Sequence, residues 1–252
     1  MTKSLYFLLI ALLALCSCRK GEDIVPAFYQ CQFDFPDSSA VNPYHHEYQS
    51  LLDDMTSGGV VGVMMSVFQP STGMWIGAAG KADLHNHIDM KSCNISRVGS
   101  TVKMFTATTV LKLAEEGKFS LDDKIADYLQ GDVIDKIENA DQATIRQLLQ
   151  HSSGIYNYIQ NLQFQTASLN DLIKGWKAAD LLQYAYHQPA YFQPGEDVRY
   201  SNTGYIMLGM LIEHVEGKPF YEVFEEKIFA PLGLSMTTFA ATDPVPDGIV
   251  RG

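Results

Sequence analysis

Positive charge is scarce in this chain. Lys and Arg number 18 against 29 Asp and Glu, a formal net charge of -11 over 252 residues. Polyphosphate backbones need a basic surface, so nucleic acid is not expected as a partner. The plainest reading of the acidity is solubility. Long hydrophobic runs are scarce too. The apolar stretch from Leu5 to Cys16, behind Lys3, is too short and wrongly flanked to span a membrane. No phosphate loop or dinucleotide fingerprint occurs. His45-His46 and His85-Asn86-His87 lack further ligands at site-like spacing, so neither a metal nor another cofactor is expected. Cysteine is limited to four positions, 16, 18, 31 and 93.

What is present begins with an export signal. Leu15-Cys16-Ser17-Cys18 resembles a bacterial lipobox, with Leu three before the cysteine and a small Ser just before it. Residues 1–18 then form a lipoprotein signal peptide, and Cys18 carries the lipid. The expected location is a bacterial membrane, on its periplasmic or cell-surface side. Ordinary signal cleavage with a soluble product is the competing outcome. Residues 19–43 hold Pro26, Pro36 and Pro43 without periodicity and read as a tether. Cys31 and Cys93 remain in the mature chain. An oxidising compartment permits a disulfide between them, and two free thiols stay equally open.

The folded part spans 44–252. Tyr44 to Met55 has helical spacing and Ser57-Gly58-Gly59 ends it. Val60 to Phe68 is apolar on both alternating faces and predicts a strand buried on both sides. Pro70 to Gly73 is a turn, and Met74 to Ala79 predicts the second strand of an antiparallel hairpin. Asp83 to Lys91 reads as a loop. From Thr101 the period becomes helical. Helices are expected from there past Leu113, briefly after Ser120, after Thr144, over Leu169–Tyr186, over Gly204–Val215 and over Phe220–Phe229. Two strands cannot make a stable sheet, so further strands or a helical cover are needed.

Two clusters could do chemistry. In Gly99-Ser100-Thr101-Val102-Lys103, Ser100 sits at a predicted helix start, where free N–H groups carry partial positive charge. A hydroxyl placed there can become an acyl carrier whose oxyanion faces those donors. Lys103 is one turn on and beside apolar neighbours, and desolvation favours a neutral amine that can act as a base. The plain alternative is a helix cap and a surface lysine. In Tyr200-Ser201-Asn202, a phenol can shuttle protons and a carboxamide can serve both substrate and lysine. Here the alternative is that Asn202 caps the next helix and Tyr200 packs on it.

Together and in this order, these motifs resemble the serine β-lactamase and penicillin-binding-protein superfamily. The similarity is to the branch of class C β-lactamases, D-alanyl-D-alanine carboxypeptidases and related esterases, which carries Tyr-x-Asn. Arg97 to Ala107, Leu113 to Asp123, Thr144 to Ile155, Pro194 to Gly209 and Pro231-Leu232-Gly233-Leu234 extend the likeness over about residues 44–252. The resemblance implies an α+β fold, with an antiparallel sheet flanked by helices and a helical subdomain over about 100–240. It implies that Ser100 forms an acyl-enzyme on an amide, β-lactam or ester carbonyl, with Lys103 as base, Tyr200 as proton relay and Asn202 as substrate binder. The substrate is then a small molecule or a peptidoglycan peptide, with the membrane engaged through the lipid. His151 is an additional candidate, read as structural.

The family's third motif, Lys-Thr-Gly or a variant on a strand, is absent after Leu234. A C-terminally truncated chain is the expectation, poorly folded and inactive by itself, while the complete parent is an enzyme. An inactive fragment or a non-catalytic relative is the alternative to an enzyme.

Overall fold

The computed structural model describes residues 39–172, 174–239 and 250. The chain divides into two compact units, with the break between Arg97 and Val98. The leader, the tether up to residue 38 and the Cys31 expectation lie outside the described residues. Cys93 is disulfide-bonded.

In the first unit, helix α1 (His45–Ser57) packs on an antiparallel sheet of strand order β1-β2-β3. Strands β1 (Gly62–Gln69) and β2 (Gly73–Asp83) form the expected hairpin. Tyr48 and Leu52, one turn apart on α1, face this sheet. Leu52 and Trp75 are fully buried, and the Tyr48 and Trp75 rings lie 5.1 Å apart. The indole Nε1 donates to His45 Nδ1 at 3.1 Å, so His45 ties helix to sheet.

Two expectations need correction in this unit. The segment after β2 is not all loop. Strand β3 (Ile88–Asp89) pairs with β2, and Asp83 closes the turn by accepting from the Asn86 N–H at 2.9 Å and its side-chain amide at 2.8 Å. Strand β1 is also not buried on both sides. Val63, Met65 and Val67 share the face of Trp75, which α1 covers, while Phe68 and Met74 on the other face are exposed. Alternating apolar residues report capacity for burial on two faces, and only one of them is filled here.

The second unit is helical. Its elements are α2 (Val102–Glu115), α3 (Asp132–Asp135), α4 (Ile145–Leu149), α5 (Leu162–Asn170), α6 (Ala178–Leu182), α7 (Asn202–Glu216), α8 (Phe220–Phe224) and α9 (Ala230–Leu232). Helix α7 buries Met207, Leu208, Leu211 and Ile212 in a core shared with Val110, Leu113, Ile145, Leu148 and Phe224. Thr144 opens α4 by accepting from the Gln147 N–H, and the Gln147 side chain reaches back to the Thr144 N–H. Gly217, left-handed at φ 69°, ends α7.

The single helix expected over Leu169–Tyr186 is not formed. Helix α5 stops at Asn170, and α6 starts afresh after Lys177, whose N–H donates to Asp180. Leu169 and Leu172 are exposed, so the apolar residues read as one stripe do not share a buried face. Ser120 heads a turn rather than a helix, and α8 runs into a π-helical turn over Glu225–Phe229.

Leu208 is fully enclosed in this core. Replacing it by Ala is expected to destabilise the protein by about 2–5 kcal/mol, read as a lowered denaturant midpoint. A change within experimental error would show that the core does not hold the unit together.

Candidate active site

Gly99 takes a left-handed φ of 52° and turns the chain into a 3-10 turn, Gly99–Thr101, that runs directly into α2. A residue with a Cβ would be strained there. The turn leaves Ser100 exposed at the head of α2, with Lys103 half-buried in its first turn. The chain segment before α7 brings Tyr200 and Asn202 to the same place.

All four residues singled out in the sequence meet. The Tyr200 hydroxyl and Ser100 Oγ are 2.9 Å apart across 100 positions of sequence. Lys103 Nζ donates to Asn202 Oδ1 at 2.6 Å. The same ammonium lies 4.8 Å from the centre of the Tyr200 ring and 5.4 Å from that of Tyr205. Ring faces at that range attract a cation. Asn202 does not cap α7; Ser201 occupies that position. The Asn202 side chain is therefore free to bond Lys103.

Residues 151–158 form a template for residues 199–203. His151 has a positive φ of 60°, and its carbonyl accepts from the Arg199 N–H at 2.9 Å. Its Nδ1 accepts from the Ser201 N–H at 3.2 Å, and its ring lies 4.5 Å from Tyr200 and 5.0 Å from Tyr205. The Tyr156 carbonyl accepts from Thr203 Oγ1 at 2.6 Å, and Thr203 Oγ1 accepts from the Tyr158 N–H at 3.0 Å. Asn157 Oδ1 accepts from both the backbone N–H and the side-chain Nδ2 of Asn202 at 3.2 Å. Gly154 completes the template: with φ 70°, an added Cβ would sit 2.0 Å from the Phe192 carbonyl oxygen. Asn157 was not evident from the sequence, since nothing in Ile155-Tyr156-Asn157 marks it. Its signal is spatial.

The electrostatics favour proton exchange at Tyr200. Burial pushes its phenol up, but hydrogen bonds with Lys103 and Ser100, together with the Lys103 charge, outweigh this and bring it below its ordinary value. Two hydroxyls 2.9 Å apart can share one proton in either direction. Burial first, and then the nearby Lys103 charge, hold the His151 imidazole below its ordinary value, in keeping with Nδ1 acting as an acceptor.

A profile described as Beta-lactamase matches residues 49–251. The chain belongs to the beta-lactamase family. Among curated relatives it is 30% identical over 171 residues to a putative D-alanyl-D-alanine carboxypeptidase of Escherichia coli K12, covering 65% of this chain and 39% of that protein. It is 29% identical over 198 residues to penicillin-binding protein 4 of Amycolatopsis lactamdurans, covering 77% and 49%. Among solved structures, the D-amino acid amidase of Ochrobactrum anthropi SV3 with L-phenylalanine superposes with a TM-score of 0.73 at 29% identity, over 82% of this chain and 55% of that one. This beta-lactamase-family chain has the α+β fold of that amidase, and it spans about half or less of the curated relatives it matches.

A neutral His151 carries a pH consequence. Its folded pKa lies below the unfolded value of about 6.5, so the unfolded chain binds the proton first. The stabilisation is complete above that value and is lost as pH falls through the folded pKa. Thermal midpoints of the wild type are expected to fall more steeply below about pH 6.5 than those of His151→Asn. Parallel curves would remove His151 from the account.

Proposed function

We propose that the protein is a serine acyl-hydrolase that forms an acyl-enzyme at Ser100 on an amide, β-lactam or ester carbonyl. The observation that carries this is the 2.9 Å contact between the Ser100 and Tyr200 hydroxyls beside the Lys103 ammonium. Tyr200, as the phenolate that the Lys103 ammonium stabilises, takes the Ser100 proton as Oγ attacks the carbonyl carbon. Tyr200 then hands the proton to the leaving amine or alcohol. In the second half the regenerated phenolate takes a proton from water as the water oxygen attacks the acyl carbon, and Tyr200 returns that proton to Ser100 Oγ as the ester C–O bond breaks. The Lys103 ammonium supports Tyr200 as the base, and Asn202 holds the lysine and orients the substrate. The relatives named for D-alanyl-D-alanine carboxypeptidase and D-amino acid amidase activity favour D-configured amides as the substrate class. A peptidoglycan peptide is the extracellular form of that chemistry.

We further propose that lipid on Cys18 holds the domain at the outer side of a bacterial membrane, on the strength of the lipobox-like Leu15-Cys16-Ser17-Cys18. In detergent phase separation the wild type should enter the detergent phase and Cys18→Ala should move to the aqueous phase. A wild type found wholly in water excludes the anchor.

Covalent labelling tests the acyl-hydrolase reading. A fluorescent penicillin and a chromogenic D-amino acyl ester are expected to leave an adduct on Ser100 in peptide mapping, absent in Ser100→Ala. Tyr200→Phe should acylate about 10²–10⁴ times more slowly. If neither reagent modifies Ser100 in the wild type, the proposed chemistry is wrong.

A further inference from the structure

An asparagine carboxamide has nearly the same shape either way round, so its rotation is decided by its partners. Asn202 stands between two of them. On one side is the Lys103 ammonium, which only donates, 2.6 Å from Oδ1. On the other is Asn157 Oδ1, an acceptor, 3.2 Å from Asn202 Nδ2. We infer that Asn157 is a positioning residue that fixes the rotation of the Asn202 carboxamide and so presents its oxygen, not its nitrogen, to Lys103.

The argument runs through what the opposite rotation would do. It would set the Asn202 oxygen against the Asn157 oxygen and the Asn202 NH₂ against an ammonium. Both contacts would then be mismatched, and in a half-buried site each unpaired polar group costs free energy. Asn157 can enforce this because its own placement is fixed. It is buried, at 7% exposure. Its backbone N–H donates to the Tyr191 hydroxyl at 3.0 Å, and its carbonyl accepts from the Gln160 N–H at 2.9 Å. The Tyr191 hydroxyl in turn donates to Gln160 Oε1 at 2.8 Å, and the Arg199 guanidinium lies 3.7 Å from the centre of the Tyr191 ring. The same Asn157 oxygen also accepts from the Asn202 backbone N–H, so backbone and side chain of Asn202 are referred to one atom. With the carboxamide so fixed, the lysine is held by an acceptor and its charge stays beside Tyr200.

This inference rests on the acyl-hydrolase reading for its kinetic consequence, but not for its structural one. Two variants and two readouts separate them. Asn157→Ala removes the acceptor; Asn157→Asp keeps an acceptor at the same reach. With the fluorescent penicillin, the maximal acylation rate of Asn157→Ala should fall about 10- to 100-fold, with little change in the concentration needed for half-maximal rate. Asn157→Asp should recover most of that loss. Independently of any substrate, the Asn202 side-chain NH₂ in nitrogen-15 NMR should exchange its bonded proton slowly in the wild type and in Asn157→Asp. That protection should vanish in Asn157→Ala. Wild-type acylation in Asn157→Ala overturns the assignment, and so does an Asn157→Asp as slow as Asn157→Ala. If the wild type is not acylated, the acyl-hydrolase reading fails and the exchange measurement decides alone. Should Asn157→Ala not fold, wild type and Asn157→Asp still decide. In every case, Asn202 side-chain protons exchanging freely in the wild type overturn the assignment.

Discussion

A half-buried ammonium is the constraint around which the second unit is arranged. Lys103 sits half-buried in the first turn of α2. Among the described residues no carboxylate forms an ion pair with it. Its charge is met by softer partners: one carboxamide oxygen at 2.6 Å and the faces of two tyrosine rings. A carboxylate would have neutralised the lysine outright. Dipoles and ring faces hold it while leaving its field to act on the neighbouring phenol.

The scaffold that makes this possible is a packed helical core with a shaped loop laid over it. Helix α7 is buried along Met207, Leu208, Leu211 and Ile212, which anchors it in the core. The loop 151–158 then sets residues 199–203 by hydrogen bonds that alternate between backbone and side-chain partners. The left-handed conformations at His151 and Gly154 give that loop its shape. The strain at His151 is offset by the bonds the loop makes, while Gly154 takes its conformation without strain. The result links a hydroxyl to a phenol, the phenol ring to an amine and the amine to a carboxamide in one chain of contacts.

The hairpin, the start of α2 and the apolar helix α7 were all legible in the chain, because each follows from local periodicity and from glycines at turns. So were Ser100, Lys103, Tyr200 and Asn202, through motif order. Leu169–Tyr186 was misread because several apolar residues fell at helical spacing while Leu169 and Leu172 point to solvent. Periodicity records a possible stripe but not whether anything covers it. Strand β3 was missed because two residues carry no period at all.

By itself, the order of residues determined which groups could react, since spacing of three along a helix puts a hydroxyl and an amine on one face whatever the fold. Only the tertiary structure decided how those groups meet the segment 100 positions away, and which atom of Asn202 faces the lysine. The reason is physical: a carboxamide's rotation and a phenol's proton affinity depend on partners from distant segments. Asn157 bears no local mark of that role.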